Sequence, residues 1–430
     1  MKLLVTGGGG REHAIIKRLG KEHEIFSAPG NGGIAADATI FPEIKATDVD
    51  GQAKLAKSLG AELVVIGPDD ALALGLSDKL LDAGIPAFGP SQNAARLESS
   101  KVFSKDLMKK YNIPTAEYTV FDNANAARSY IETLEKFPTV IKADGLALGK
   151  GVIIAEDRAA ALSAISEIME DGKFGDSGNR VVIEEFLSGP EISVFVITDG
   201  INTVELSSAM DHKRAGDNDT GSNTGGMGTI APNPFYTESI NKETNERIIK
   251  PTITAMRAEG CPFSGVIFFG LMATADGVKV IEYNSRFGDP EAQVILPLLA
   301  GDFAELLEKT AHGKLAGYTC GNNDGNYTAC VVVASGGYPE KYETGKLISG
   351  LNTKGQLDEM PDVMVFHAGT KFQEADGKYY TAGGRVLGIT AKAETLKAAI
   401  DRAYEAVGKI SFEGMQYRKD IGKKALLGNN

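Results

Sequence analysis

Apolar runs alternate with glycine-rich breaks along the first ninety residues, a pattern that predicts strands and helices in turn. Lys2 to Thr6 reads as a short buried strand, Gly7 to Gly10 as a turn, and Arg11 to Leu19 as a helix closed by Gly20. Leu63 to Ile66 stops at Gly67-Pro68 and Ile85 to Phe88 stops at Gly89-Pro90, with helical spacing between them. Such alternation predicts an open parallel sheet with helical crossovers on both faces. Ser91 to Tyr111 predicts one long helix, ended before Pro114.

The pattern then changes. Thr139 to Lys142 and Gly151 to Ala155 are strand-like and flank a glycine-rich loop, with a helix from Arg158 to Met169 after them. Arg180 to Phe186 and Ile192 to Thr198 read as strands, and Gly265 to Ala273 with Val278 to Tyr283 as a hairpin around Ala275-Asp276-Gly277, which together predict a larger, mainly antiparallel sheet. Ala329 to Ala334, Val363 to His367 and Val386 to Thr390 precede a helix from Glu394 to Val407 and form a last, smaller α+β unit. The fold class is therefore multidomain, α/β followed by α+β.

Composition narrows the function. The 430 residues carry 45 Lys+Arg against 57 Asp+Glu, a net charge of -12 that would repel a nucleic-acid backbone. The longest uncharged stretch, Gly260 to Ala275, is interrupted by glycine and proline and is too short to span a membrane, and the N-terminus turns glycine-rich too early for a signal peptide. A cytoplasmic enzyme without membrane attachment is the expectation. Cys261, Cys320 and Cys330 form neither an even disulfide set nor a zinc pair, and the five histidines contain no H-E-x-x-H motif.

Four constellations could carry chemistry. Gly8, Gly9 and Gly10 at a strand-to-helix turn, beside Arg11, could cradle a phosphate, but a dinucleotide fingerprint fails because Glu12 stands where the third glycine is needed. Lys142 to Gly151 holds Asp144, Gly145, Gly149 and Lys150 between two strands. It departs from the Walker A spacing and suits a flap over nucleotide phosphates, with Lys142 as a point charge. Glu282, Asn284 and Arg286 alternate along a strand and would face one way, two hard oxygen ligands for Mg²⁺ beside a guanidinium that could stabilise developing negative charge. The fourth, Asp211-His212-Lys213-Arg214 with the polar loop Asn223 to Gly228, is either functional or a solvated turn.

These residues, with Gly9-Gly10-Arg11-Glu12-His13-Ala14, Ala28-Pro29-Gly30-Asn31, Arg286-Phe287-Gly288-Asp289-Pro290-Glu291, Phe366-His367-Ala368-Gly369-Thr370-Lys371 and Arg418-Lys419-Asp420-Ile421-Gly422, resemble the phosphoribosylamine-glycine ligase family of ATP-grasp enzymes over essentially the whole chain. The resemblance implies an N-terminal substrate-binding domain over residues 1–100, an ATP-grasp core over 101–117 and 187–323, a small flap subdomain over 118–186, and a C-terminal domain over 324–430. It implies that glycine and 5-phosphoribosylamine are joined with ATP as co-substrate, through glycyl phosphate, in purine biosynthesis. Lys101 and Lys142 would contact ATP phosphates beneath the flap of Asp144, Gly145, Gly149, Lys150 and Gly151. Glu184, Glu185 and Leu187 would lie at adenine and Glu191 at the ribose; Glu282 and Asn284 would hold Mg²⁺, with Mn²⁺ as an alternative. Arg286, Asp211 and Lys213 are the implied catalytic residues, and Gly8, Gly9, Gly10, Asp69 and Asp289 would touch substrate. A passing contact with the enzyme that makes phosphoribosylamine is a further expectation; nucleic acid and membrane are not expected partners.

The chain departs from the family pattern at Gly8, where Asn or Ser is frequent, and at Asp69, where a glutamate is usual. Three alternatives remain to be separated from this reading: an ATP-grasp ligase acting on formate or bicarbonate, a nucleotide-binding regulator without turnover, and a dinucleotide oxidoreductase.

Overall fold

The apolar runs that stop at glycine become the strands of a parallel sheet. In the computed structural model, which describes residues 1–146, 151–321 and 325–428, this sheet has the spatial order Thr39–Ile40, Glu24–Pro29, Lys2–Gly7, Leu63–Ile66, Ala87–Phe88. Successive residues of Lys2–Gly7 point to opposite faces. Leu3 and Val5 pack with Ile15 and Leu19 of the helix Gly10–Leu19, whereas Leu4 packs with Ala53, Ala56 and Leu80 of helices on the other side. Burial on both faces is why these strands are almost wholly apolar rather than alternating.

The predicted helix Ser91 to Tyr111 is two helices, Gln92–Ser99 and Lys101–Lys110. Ser100 breaks the run. Its backbone is extended and its Oγ accepts from Phe103 N (3.2 Å), while Asp144 Oδ1 accepts from Val102 N (3.1 Å). Periodicity does not register this break because serine is tolerated inside a helix, yet it prefers the cap, where its oxygen satisfies an otherwise orphaned N–H. The break turns Lys101 into the first residue of a helix beside the flap.

The flap is a four-stranded antiparallel sheet in the order Tyr118–Phe121, Val181–Glu185, Thr139–Ala143, Val152–Ala155. Beneath it lies a second antiparallel sheet, Thr203–Glu205, Glu191–Thr198, Gly265–Thr274, Gly277–Asn284, with a bulge opposite Gly270 and Leu271 that re-aims the end of its last strand. A third sheet runs Met210–Asp211, Gly228–Ala231, Tyr327–Ala334, Arg385–Ala393, Val363–His367, so the segment carrying Asp211 pairs with C-terminal strands.

One apolar cluster runs through Leu3, Ile15, Phe195, Phe268, Phe287, Cys330 and Phe366, joining the parallel sheet to both antiparallel ones. A polar joint accompanies it. His13 Nδ1 accepts from His367 N (2.7 Å), and its Nε2 faces Asp37 (3.1 Å), which also pairs with Lys17 (2.7 Å). No helix among the described residues is long and apolar enough to cross a membrane.

Candidate active site

A cavity of about 1090 Å³ opens where the three sheets meet. Its walls include Asp69, Lys101, Lys142, Gly145, Gly151, Glu184, Glu185, Leu187, Glu191, Asp211, Lys213, Glu282, Asn284, Arg286 and Asp289. Residues separated by more than 200 positions are thus brought together. Asp144 and the turn Gly8 to Gly10 do not line the cavity, and Gly149 and Lys150 lie outside the described residues.

On the flap side, Lys142 is buried on Thr139–Ala143. Its Nζ donates to the Ile281 carbonyl (3.0 Å) and pairs with Glu184 (3.0 Å), as does Lys105 (3.0 Å). Lys105 was not among the sequence candidates, although Lys101 and Lys105 are one helical turn apart and share a face. Burial lowers Lys105 to about 8 despite Glu184. Burial also lowers Lys101, whose Nζ donates to the Gly145 carbonyl (2.8 Å) at the flap's base. Asp144 pairs with Arg180 and holds Ser100 and Val102, so its carboxylate fastens the flap to a helix start. The Glu185 carboxylate is turned to Lys279 (2.9 Å) and its N–H to Glu117.

Glu282 is the last carboxylate of Gly277–Asn284. Burial would raise it, but Lys213, Lys142 and Lys101 together hold it below the ordinary carboxylate range. Lys213 bridges Glu191 (3.1 Å) and Glu282 (3.7 Å), and is itself raised, chiefly by Glu191. Asn284 Nδ2 is buried without a partner, so its amide can turn an oxygen to the cavity without losing a bond. An ionised carboxylate and an amide oxygen, two residues apart on one strand, fit a hard divalent cation that keeps waters and takes phosphate oxygens.

The opposite side is acidic. Asp211 Oδ1 is buried and unpartnered, and burial plus the nearby Glu291 raise Asp211 well above its ordinary value; burial raises Glu291 too. Asp289 is saturated by Arg385 (3.3 Å) and Gln293 (2.8 Å). Arg286 lies just beyond the strand. One nitrogen pairs with Glu98 (3.2 Å), and its buried Nε has no partner. Glu98 also accepts from Ser285 N (2.7 Å), and burial pushes it up to about 7. Sequence reasoning missed Glu98, Glu291 and Arg385. Glu98 had a signal: with Ala94 and Leu97 it occupies one helical face, a buried position for a charge.

The turn Gly8 to Gly10, expected to touch substrate, gives one backbone donor to an internal carboxylate. Gly9 N donates to Glu12 (2.6 Å), which also pairs with Arg11 (2.6 Å). Its glycines answer to packing: a Cβ on Gly8 would sit 2.3 Å from the Gly30 carbonyl, and one on Gly10 2.5 Å from Gln293.

A flap sheet closing on an antiparallel sheet over a lysine-lined cavity defines the ATP-grasp ligases. The fold agrees with a biotin carboxylase domain from Hydrogenobacter thermophilus, solved with MgADP and bicarbonate, at TM-score 0.72 and 18% identity over 96% of this chain and 91% of that one. Three family models match in order: the phosphoribosylglycinamide synthetase N domain over residues 1–98, its ATP-grasp (A) domain over 99–292 and its C domain over 328–424. Phosphoribosylamine-glycine ligases of Caulobacter vibrioides and Chlorobaculum tepidum are 47% and 46% identical over 99% of this chain and 99% and 100% of their own. The crystal structure of the Thermotoga maritima enzyme superposes with TM-score 0.84 at 33% identity, over 98% of this chain and all of that one. The chain belongs to the phosphoribosylglycinamide synthetase family, and its activity is the ATP-dependent ligation of glycine to phosphoribosylamine in purine biosynthesis.

Proposed function

We propose that the ligation runs through glycyl phosphate and that the two sides of the cavity divide the work. A free carboxylate is a poor electrophile. A glycine carboxylate oxygen attacks the γ-phosphorus of ATP and ADP leaves; the phosphoribosylamine nitrogen then attacks the acyl carbon, loses a proton, and phosphate departs with that glycine oxygen. Lys101, Lys142 and the flap residues Gly145 to Gly151 neutralise the triphosphate. The strand end at Glu185 to Leu187 meets adenine through its backbone, and Glu191 meets the ribose. Glu282 and Asn284 hold Mg²⁺, or Mn²⁺ in its place, which supplies charge neutralisation at the transferring phosphoryl group.

Asp211 and Glu291 receive the glycine ammonium, which would satisfy the orphaned Asp211 oxygen and relieve the repulsion between the two carboxylates. Arg286, whose buried Nε has no partner, stabilises the acyl phosphate and the tetrahedral oxyanion. Lys213 offsets the charge of Glu191 and Glu282 between nucleotide and acceptor. Phosphoribosylamine comes in against Asp69, while Asp289 acts by holding Arg385. The observation that carries this reading is the meeting of a cationic wall and an anionic wall at Arg286. Glycine labelled with ¹⁸O in both carboxylate oxygens tests it: one label per turnover should appear in inorganic phosphate, and unlabelled phosphate would exclude the acyl phosphate.

A further inference from the structure

The Arg418-Lys419-Asp420-Ile421-Gly422 segment has no place in the chemistry above, yet it contains the largest fully buried side chain described. Arg418 is 1% exposed. Its Nε and Nη2 form a two-pronged pair with Asp420 (2.8 Å each), and its Nη1 donates to Asp219 Oδ1 (2.8 Å) and the Arg214 carbonyl (3.2 Å). A planar fork of this kind fixes direction as well as charge.

The two groups it holds outside its own segment belong to one hairpin, Arg214–Gly216 with Thr220–Asn223, which begins one residue after Lys213. The tip of that hairpin is strained. Asn218 and Asp219 both adopt left-handed backbone (φ 57° and 54°), a conformation that non-glycine residues hold only when their surroundings over-determine it. The segment supplies that constraint: Asp420 accepts from Asn218 N (2.8 Å), Asp217 accepts from Lys419 N (2.7 Å), and Lys424 pairs with Asp219. A second clasp sits on the other side of Lys213. His212 Nδ1 donates to the Gly228 carbonyl (3.1 Å) and its Nε2 accepts from Gly422 N (3.0 Å). The two residues flanking Lys213 are thus both tied to the C-terminal segment, through the His212 ring and the Arg214 carbonyl.

We infer that the Arg418-to-Gly422 segment is a strap that positions Asp211 and Lys213, and that Arg418, through Asp219, is a positioning residue for the acceptor side of the ligation. A mere stabiliser would lower the melting temperature and leave the substrates equally well bound. A strap acts first on the loop that meets glycine and reaches the nucleotide wall only through the Lys213 pairs with Glu191 and Glu282, so glycine should suffer more than ATP. The inference rests on the assignment of Asp211 and Lys213 to substrate.

The test uses the full chain with Asp219→Gly, which removes the acceptor at a positive φ that glycine tolerates and leaves the Arg418–Asp420 pair, and with Arg418→Lys, which keeps the charge but loses the fork. Misplacing a catalytic loop by a fraction of an ångström should lower kcat/KM for glycine by about tenfold or more, with the KM for ATP within about twofold of wild type. If Arg418→Lys fails to fold, Asp219→Gly decides alone. Unchanged glycine kinetics in Asp219→Gly, or an equal loss for ATP and glycine, would overturn the strap. Lys213→Met separates the parent assignment: wild-type kinetics there would remove it, whereas an impaired Lys213→Met beside an unaffected Asp219→Gly would remove the strap alone.

Discussion

The two walls of the cavity use opposite charge logic. On the flap side, Lys105 and Lys142 pair with Glu184, and Lys213, Lys142 and Lys101 hold Glu282 below its ordinary value. On the acceptor side, burial raises both Asp211 and Glu291, and the nearby Glu291 charge raises Asp211 further. A wall rich in cations awaits a polyanion; a wall with ionisable oxygens in excess awaits a cation. The chain's net charge of -12 describes neither wall. Charge at this site is set by which elements converge, and the acidic total excludes a nucleic-acid face while permitting a triphosphate pocket.

Breaking the cationic wall should have the largest effect. Lys142→Ala or Glu282→Ala should lower kcat by at least about 10²–10³, because groups acting on transferring charge contribute most in the transition state. Circular dichroism and melting curves would confirm folded proteins. Near wild-type turnover in folded Glu282→Ala would remove that carboxylate from the metal assignment.

The second prediction uses the opposite shifts of the two walls. Raised carboxylates take up protons first on acidification, so Asp211 and Glu291 lose negative charge at a higher pH than Glu282 does. As pH falls from neutrality, kcat/KM for glycine should decline while the KM for ATP stays level, since the former reports the free enzyme's acceptor side. The same shifts have a stability sign: an acid raised in the folded state leaves that state holding more protons than the unfolded chain, so these groups favour folding less as pH rises through their values. Glu291→Gln removes the repulsion and should flatten the glycine profile by several fold at its acid end. Parallel pH profiles for glycine and ATP would refute the division of the cavity.

How far the sequence reached differs between the walls for the same reason. The nucleotide wall is built from short local motifs, so Lys142 in its glycine hairpin and the alternation of Glu282, Asn284 and Arg286 could be read from spacing. The acceptor wall is built from residues that meet only in the fold: Glu98 from a helix of the parallel-sheet unit, Glu291 after the core strand and Arg385 from the C-terminal sheet. Nothing in the local pattern of Arg385 marks it. At the glycine turn the local pattern could not show the neighbours: Gly8 to Gly10 read as a phosphate nest, and in the fold the Gly9 donor goes to Glu12 while the missing side chains make room for Gly30 and Gln293. The parallel sheet and the helices on both its faces followed from the alternation of apolar runs and glycine breaks, whereas the break at Ser100 depended on a tertiary partner, Asp144.

The smallest effect is expected at Asp69, and it sharpens the comparison because this residue sits on the acceptor wall without belonging to the crowded pair. Asp69 opens the helix Asp69–Ala73 and faces the region shared by Arg286 and Glu98. Its carboxylate reaches one methylene less far than the glutamate usual in relatives. Asp69→Glu extends the group toward the incoming amine without changing charge, so stability and the KM for ATP should stay within about twofold, as for a surface substitution outside the core. The KM for phosphoribosylamine should move by a few fold in either direction, while kcat holds, because a contact equally strong in ground and transition states alters binding alone. Steady-state assays varying phosphoribosylamine at saturating ATP and glycine decide it. An unchanged KM would make Asp69 part of the electrostatic surroundings of Arg286, and a fall in kcat with KM constant would move it into the chemistry of the amine's attack.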